Sequence, residues 1–163
     1  MTTTNHGEHT SLAAAFTHEH HEIDDAIEAY LASDEPEPRR RATPLLGALE
    51  ALRRHIYLEE EIVFPHLPEG PLMMAMMVMH REHGELWRRM DALVGQLQDP
   101  AASGDDVDAS CRGILDLLEQ HNAKEEPIIY PYMDTDLDDD ERARVLALLE
   151  GGTLPPGWVC RDA

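Results

Sequence analysis

The sequence predicts an all-α fold, an up-down-up-down four-helix bundle with a short fifth C-terminal helix. Three features carry that expectation. Along four long stretches apolar residues recur at spacings of three and four, the stripe of an amphipathic helix. The breaks between them are short and rich in Pro, Gly and Asp, which favours antiparallel neighbours. The two halves also repeat each other. His55 and Glu59, followed by Glu60, Ile62, Val63, Phe64 and Pro65, are matched 66 positions later by His121 and Glu125, followed by Glu126, Ile128, Ile129, Tyr130 and Pro131. A shorter echo, Glu19-His20-His21-Glu22-Ile23 against Glu82-His83-Gly84-Glu85-Leu86, lies 63 positions apart.

In the first helix Leu12, Phe16, Ile23, Ile27 and Leu31 form the stripe, and His20 fills its gap and faces inward. Residues 33–38 read as a loop. Thr43 then suits an N-cap and Pro44 a first helical position, so helix two is expected to start there. Its stripe runs Leu45, Leu49, Leu52, Ile56, Glu59 and Val63, with His55 on the same face and Pro65 after the last turn. Helix three follows residues 68–71 and carries Leu72, Met76, Met79, His83, Leu86, Met90, Leu93 and Leu97, a heptad-like seam whose one polar member is His83. Residues 99–104 turn the chain. Asp105 is the expected N-cap of helix four, with Val107, Cys111, Ile114, Leu118, His121, Glu125 and Ile128 at seam positions. Pro127 removes a hydrogen bond to the Ala123 carbonyl and is expected to kink or end that helix. A fifth helix is expected from a cap at Thr135 or Asp136 to about Glu150, stopped by Gly151 and Gly152 and followed by a tail. The bundle domain is thus expected over residues 9–133, with the C-terminal helix and tail over 134–163.

Depth brings the polar seam residues together. His20 and His55 each lie eleven residues from the first connection, about 16 Å along their helices, and His83 and His121 lie at matching depths in the second hairpin. His55/Glu59 and His121/Glu125 are i,i+4 pairs on one helix face, which suits paired metal ligands. One inward histidine is ordinarily a hydrogen-bonded core residue. Six polar groups, His20, His55, Glu59, His83, His121 and Glu125, carry a desolvation cost that no seam Lys or Arg offsets, and coordination would offset it. Nitrogen and carboxylate donors without thiolate suit iron, manganese or zinc, and two glutamates able to bridge favour a dinuclear site.

Composition narrows the alternatives. A net charge of -20 argues against a nucleic-acid partner, and the one basic cluster, Arg39, Arg40 and Arg41, reads as solvated charge. Cys111 and Cys160 belong to no CxxC pattern, so no disulfide framework or thiolate site is expected and a reducing cytoplasm fits. Residues 1–10 have no apolar signal core, and the apolar run at 71–79 is too short to span a bilayer, so a soluble protein is expected. His18, His21 and His66 read as exposed, and His6 and His9 are too sparse for a metal tract. Met73, Met74, Met76, Met77 and Met79 read as filling a core or an interface, core packing first, and Tyr57, Tyr130 and Trp87 are candidates to gate the pocket, with packing the plainer reading. Glu60 and Glu126 recur in the repeat and are candidates to orient imidazoles. No catalytic triad, phosphate loop or nucleotide motif stands out, and the oligomeric state is not indicated.

At these residues the chain resembles the hemerythrin-like, or HHE cation-binding, family: a lone His in helix one, HxxxE in helix two, His in helix three and HxxxE in helix four. The resemblance implies two iron ions in an oxo- or hydroxo-bridged centre, with manganese or zinc less expected. His20, His55, His83 and His121 would be terminal ligands, and Glu59 and Glu125 bridging carboxylates.

Departures from the oxygen-carrying members direct the functional expectation. Those members place two histidines four apart in helix three, whereas Met79 lies four before His83 here, and their helix-four carboxylate lies five rather than four after its His. His80 is a candidate fifth imidazole, but the repeat aligns it with Thr17. Four imidazoles and two bridging carboxylates leave about two exchangeable positions on two six-coordinate metals. That count favours acting on peroxide, nitric oxide or dioxygen, in oxidative or nitrosative stress defence, over reversible oxygen transport. A non-enzymatic sensor or binder, or an iron donor for cluster repair, is the alternative. No N-terminal cysteine module and no fused signalling module stand in the sequence, which counts against the donor and the self-contained sensor.

Overall fold

A computed structural model describes residues 11–163, and His6 and His9 lie outside them, as do the first two residues of the expected domain. Four long helices form the bundle: α1 (Leu12–Ala32), α2 (Pro38–Tyr57), α3 (Glu69–Gln98) and α4 (Gly104–Ile128). A short α5 (Tyr130–Asp136) and α6 (Asp139–Gly151) follow, and no strand occurs among the described residues. α1 packs on α2 and α4, and α3 packs on α4 and α2, which closes the four into a ring. The all-α bundle expected from the stripes is the observed architecture.

Side-chain caps set the helix starts. Ser11 accepts from the Ala14 amide, and Ser103 from the Asp106 amide, so the α4 cap falls two residues before the expected Asp105. Helix α2 begins at Pro38 instead of Pro44, because the Glu37 carboxylate accepts from the Arg39 and Arg40 amides. Pro44 is tolerated inside the helix at an exposed position, and the preceding Thr43 hydroxyl donates to the Arg39 carbonyl. Asp138 and Glu141 form a reciprocal capping box, which starts α6 later than the expected Thr135 or Asp136.

Two departures from regular helix shape the site. Beyond Tyr57 the chain continues as a π-helical turn, Leu58–Val63, and a 3₁₀ turn, Phe64–His66, where the stripe had predicted plain α-helix to Pro65. The wider π turn rotates less per residue, so Leu58, Glu59 and Glu60 are buried in succession. α4 ends at Ile128, one residue past Pro127, but Ile129 keeps right-handed helical backbone and leads directly into α5, a turn the sequence had not indicated.

The core falls into two apolar clusters. One gathers Ile23, Ile27, Leu49, Leu52, Ile56, Leu86, Met90, Ile114 and Leu118; the other gathers Leu12, Phe16, Leu58, Val63, Met79, Ile129, Tyr130 and Val145. His20, His55, His83 and His121 each fall in sequence between a residue of one cluster and a residue of the other, so the polar layer separates the two. Of the methionine run only Met79 is buried; Met73, Met74 and Met77 are exposed, because α3 turns that face away from the bundle. Residues of the tail return to α3: Trp158 meets Trp87 and Tyr57 edge-on, Cys160 is buried, and Arg88 donates to the Asp162 carbonyl.

Candidate metal centre

The structure brings all six expected residues into one buried layer, none more than 3% exposed. They form two groups of four that share both glutamates: His20, His55, Glu59 and Glu125, and His83, His121, Glu59 and Glu125. Each glutamate divides its oxygens between the groups. Glu59 Oε2 lies 3.4 Å from His55 Nε2, and its Oε1 lies 3.1 Å from His83 Nε2. Glu125 Oε1 lies 3.4 Å from His20 Nε2, and its Oε2 lies 3.2 Å from His121 Nε2. All four histidines present Nε2 to the centre.

Their other ring nitrogens meet carboxylates, which fixes the tautomer. Nδ1 donates from His20 to Glu126 (2.9 Å), from His55 to Glu19 (2.9 Å), from His83 to Glu60 (2.6 Å) and from His121 to Glu82 (2.9 Å). A neutral imidazole so held aims an Nε2 lone pair inward, the arrangement of a metal-ligating histidine. The pattern follows the internal repeat. Glu19 and Glu82 stand one residue before His20 and His83 but serve His55 and His121, while Glu60 and Glu126 stand one residue after Glu59 and Glu125 and serve the opposite half. Glu60 and Glu126 were recognisable from the sequence; Glu19 and Glu82 were missed, though their repeat was visible.

His80 joins neither group of four. Its Nδ1 lies 3.4 Å from Glu60 Oε2, on the outer side of His83, so it supports a supporting carboxylate. His18 and His21 are exposed, and His66 pairs at the surface with Glu141 (2.8 Å). Tyr130, read from sequence as packing, is fully buried with its hydroxyl in the first group: 2.8 Å from His20 Nε2, 3.0 Å from His55 Nε2, 2.8 Å from Glu59 Oε2 and 2.7 Å from Glu125 Oε1. Tyr57 and Trp87 do pack, against Trp158.

The electrostatics favour added positive charge. Burial alone would lower the His55 imidazole, but the Glu59 charge and the Glu19 hydrogen bond outweigh it and push it up to about 10. Burial likewise works against protonation of His83, yet the carboxylates of Glu125, Glu59 and Glu60 around it hold it well above its ordinary value. Burial would raise Glu125, but His121 and the other imidazoles hold it well below. The layer therefore retains cations against desolvation, and metal ions are the cations its donors match. Glu59 Oε1 and His83 Nε2, both in the second group, are buried without a hydrogen-bond partner, as donors awaiting an ion would be. A cavity of about 780 Å³ lies elsewhere, lined by Leu46, Arg54, Val94, Gly152 and Pro155 among others, and none of the six lines it.

The family model of the Hemerythrin HHE cation binding domain matches residues 11–133, the whole bundle through α4 and most of α5. The chain belongs to the hemerythrin HHE cation-binding family, and its His/Glu layer is the part of the fold suited to a cation. No curated protein and no solved structure matches it. No helix among the described residues is long and apolar enough to cross a membrane.

Proposed function

We propose that this protein holds two iron ions, one in each group of four, and acts with them on a small oxidant, hydrogen peroxide before nitric oxide or dioxygen, in cytoplasmic oxidative or nitrosative stress defence. In this reading His20 and His55 serve one ion, His83 and His121 the other, and Glu59 and Glu125 bridge; nucleic acid and membrane are not partners. The metal domain is 9–133, and 134–163 is a helix and tail laid against it. The observation that carries the reading is the division of each shared glutamate's two oxygens between the groups. Iron, when bound, would supply redox equivalents and a Lewis-acid position. The chain's own contribution is to hold four imidazoles in one tautomer through Glu19, Glu60, Glu82 and Glu126, and to keep the layer dry so that only a small ligand enters. Disproportionation of peroxide to water and dioxygen needs no outside reductant.

Metal analysis with Mössbauer spectroscopy on iron-loaded protein tests the centre, with two irons per chain expected; one iron at full loading would refute it. Multiple-turnover assays with peroxide and with nitric oxide then separate catalysis from the second reading, a non-enzymatic dioxygen or nitric oxide binder or sensor. The hydroxyl of Tyr130 within the first group favours that second reading to the extent that it reduces the positions open to exchange.

A further inference from the structure

We propose that Tyr130 is itself a metal ligand, its phenolate oxygen completing the His20/His55 group and leaving the His83/His121 group as the side where an external small molecule binds. The proposal rests on the dinuclear reading above. Three observations on this chain carry it.

The first is the shape of the ring beneath the hydroxyl. His20 Nε2 lies 3.0 Å from His55 Nε2 and 3.4 Å from Glu125 Oε1, and His55 Nε2 lies 3.4 Å from Glu59 Oε2. The Tyr130 oxygen stands 2.7 to 3.0 Å from all four of these atoms. Metal–ligand bonds of about 2.1 Å at right angles put neighbouring donor atoms about 3.0 Å apart. Three sides of a four-atom base at 3.0 to 3.4 Å, all four atoms within 4.8 Å of one another, and a fifth atom about equally close to each match the donor spacing of a square pyramid.

The second is hydrogen-bond capacity. A phenol has one proton to donate, yet two carboxylate oxygens, which only accept when ionised, both lie against this hydroxyl at 2.7 and 2.8 Å. At least one of those contacts sets acceptor against acceptor in a fully buried site, which is costly. A cation among the five atoms turns the same crowding into coordination, the phenol giving up its proton to solvent as the ion binds.

The third is the break in the repeat. Phe64 is the counterpart of Tyr130, and the two rings stand alike: Phe64 stacks on His83 with centroids 6.0 Å apart, and Tyr130 on His20 at 5.5 Å. Phe64 has no oxygen. One group thereby gains a fifth protein donor that the other lacks, and the second group is the one whose Glu59 Oε1 and His83 Nε2 stay unpartnered.

The test is spectroscopic. Iron-loaded, oxidised protein should show a visible phenolate-to-iron(III) charge-transfer band, and Raman excitation in that band should enhance tyrosine ring modes that shift when the protein is made with ring-deuterated tyrosine. Tyr130→Phe should lose band and modes while keeping two irons. Wild-type protein with two irons and no tyrosine-enhanced modes would overturn the proposal and leave the dinuclear reading standing, as would a Tyr130→Phe variant that keeps them. Wild-type protein that takes up no iron would overturn both. If Tyr130→Phe does not fold, the labelled wild type still decides, because among the described residues Tyr130 is the tyrosine whose oxygen contacts the His/Glu layer.

Discussion

Glu60 holds His83 from behind: its Oε2 accepts from Nδ1 at 2.6 Å while its Oε1 accepts from the Arg161 amide at 3.0 Å. A residue of the π turn thus joins α3 to the C-terminal tail through one carboxylate. The His80 imidazole beside it and the His83 hydrogen bond outweigh burial and hold Glu60 down at about 2, so it is a fixed negative charge beside the layer.

Replacing Glu60 by Gln keeps the shape and removes the charge. Metal affinity should fall roughly 10- to 100-fold, the usual consequence of removing a partner that orients a ligating histidine. His80→Ala should weaken it less, since His80 joins neither group of four and meets the layer through Glu60 and the edge of the His83 ring. Competition against a chelator of known strength measures both. Equal losses, or no loss in the Gln variant, would mean that Glu60 does not position His83 for metal.

Gly84 and Gly113 give a matched pair on neighbouring helices. A Cβ on Gly84 would stand 2.2 Å from the Asp162 carbonyl oxygen, which is backbone, whereas one on Gly113 would meet only the Arg89 guanidinium end at 2.7 Å. Gly84→Ala should therefore lift the tail, exposing Trp158 and Cys160 and loosening the Arg161–Glu60 contact; Gly113→Ala should be nearly silent. Tryptophan emission, thiol labelling and melting temperature report this. A Gly84→Ala protein indistinguishable from wild type would show that the tail is not seated on α3.

Much of this was legible in the chain. The stripe positions of His20, His55, His83 and His121, with the i,i+4 glutamates, foretold which six side chains meet, because helix periodicity and equal depth survive errors at helix ends. What escaped notice depended on local backbone and on cross-helix reach. The Glu37 cap puts the start of α2 at Pro38 instead of Pro44, about 1.7 turns earlier, yet the stripe keeps its phase. Nothing in the residues 58–63 announced a π turn, and so the simultaneous burial of Glu59 and Glu60 was invisible. Tyr130 carries its signal in the sequence itself: an aromatic at a repeated position that differs from its counterpart, Phe64, by one hydroxyl.

Removing metal should cost stability. The donors can be assembled only in the folded chain, so loading at about 100 times the dissociation constant adds about 2.7 kcal/mol per independent site by mass action. Chelated protein should melt at a lower temperature than loaded protein, with the difference growing as free metal is raised. Coincident melting curves would mean that the layer does not bind metal in the folded state.

Stability should also decline in alkali, apart from any metal effect. Burial pushes the Cys111 thiol up to about 11, against an ordinary value of 9.0. Between those two values the native state keeps a proton that the unfolded chain releases, so stability falls as pH rises through that window and is unaffected by this group below it. Cys111→Ser or Cys111→Ala should flatten the slope of melting temperature against pH from about 9 to about 11. An unchanged slope would assign the loss to other groups.

The asymmetry between Tyr130 and Phe64 makes the last prediction. Phe64 is buried with its ring nearly parallel to His83 (6°), at the repeat position that Tyr130 fills beside His20. Phe64→Tyr adds an oxygen donor on the side that external ligands are expected to use. Iron content should stay at two per chain, the phenolate charge-transfer band should grow, and azide or nitric oxide should bind at least about tenfold more weakly, a penalty of about 1.4 kcal/mol. Peroxide turnover, if present in the wild type, should fall in step with ligand affinity, because one position serves both. Titration of the oxidised protein with azide and of the reduced protein with nitric oxide supplies the numbers. A variant that gains the second phenolate band but binds both ligands as tightly as wild type would place the exchangeable position elsewhere and return the His20/His55 side to consideration.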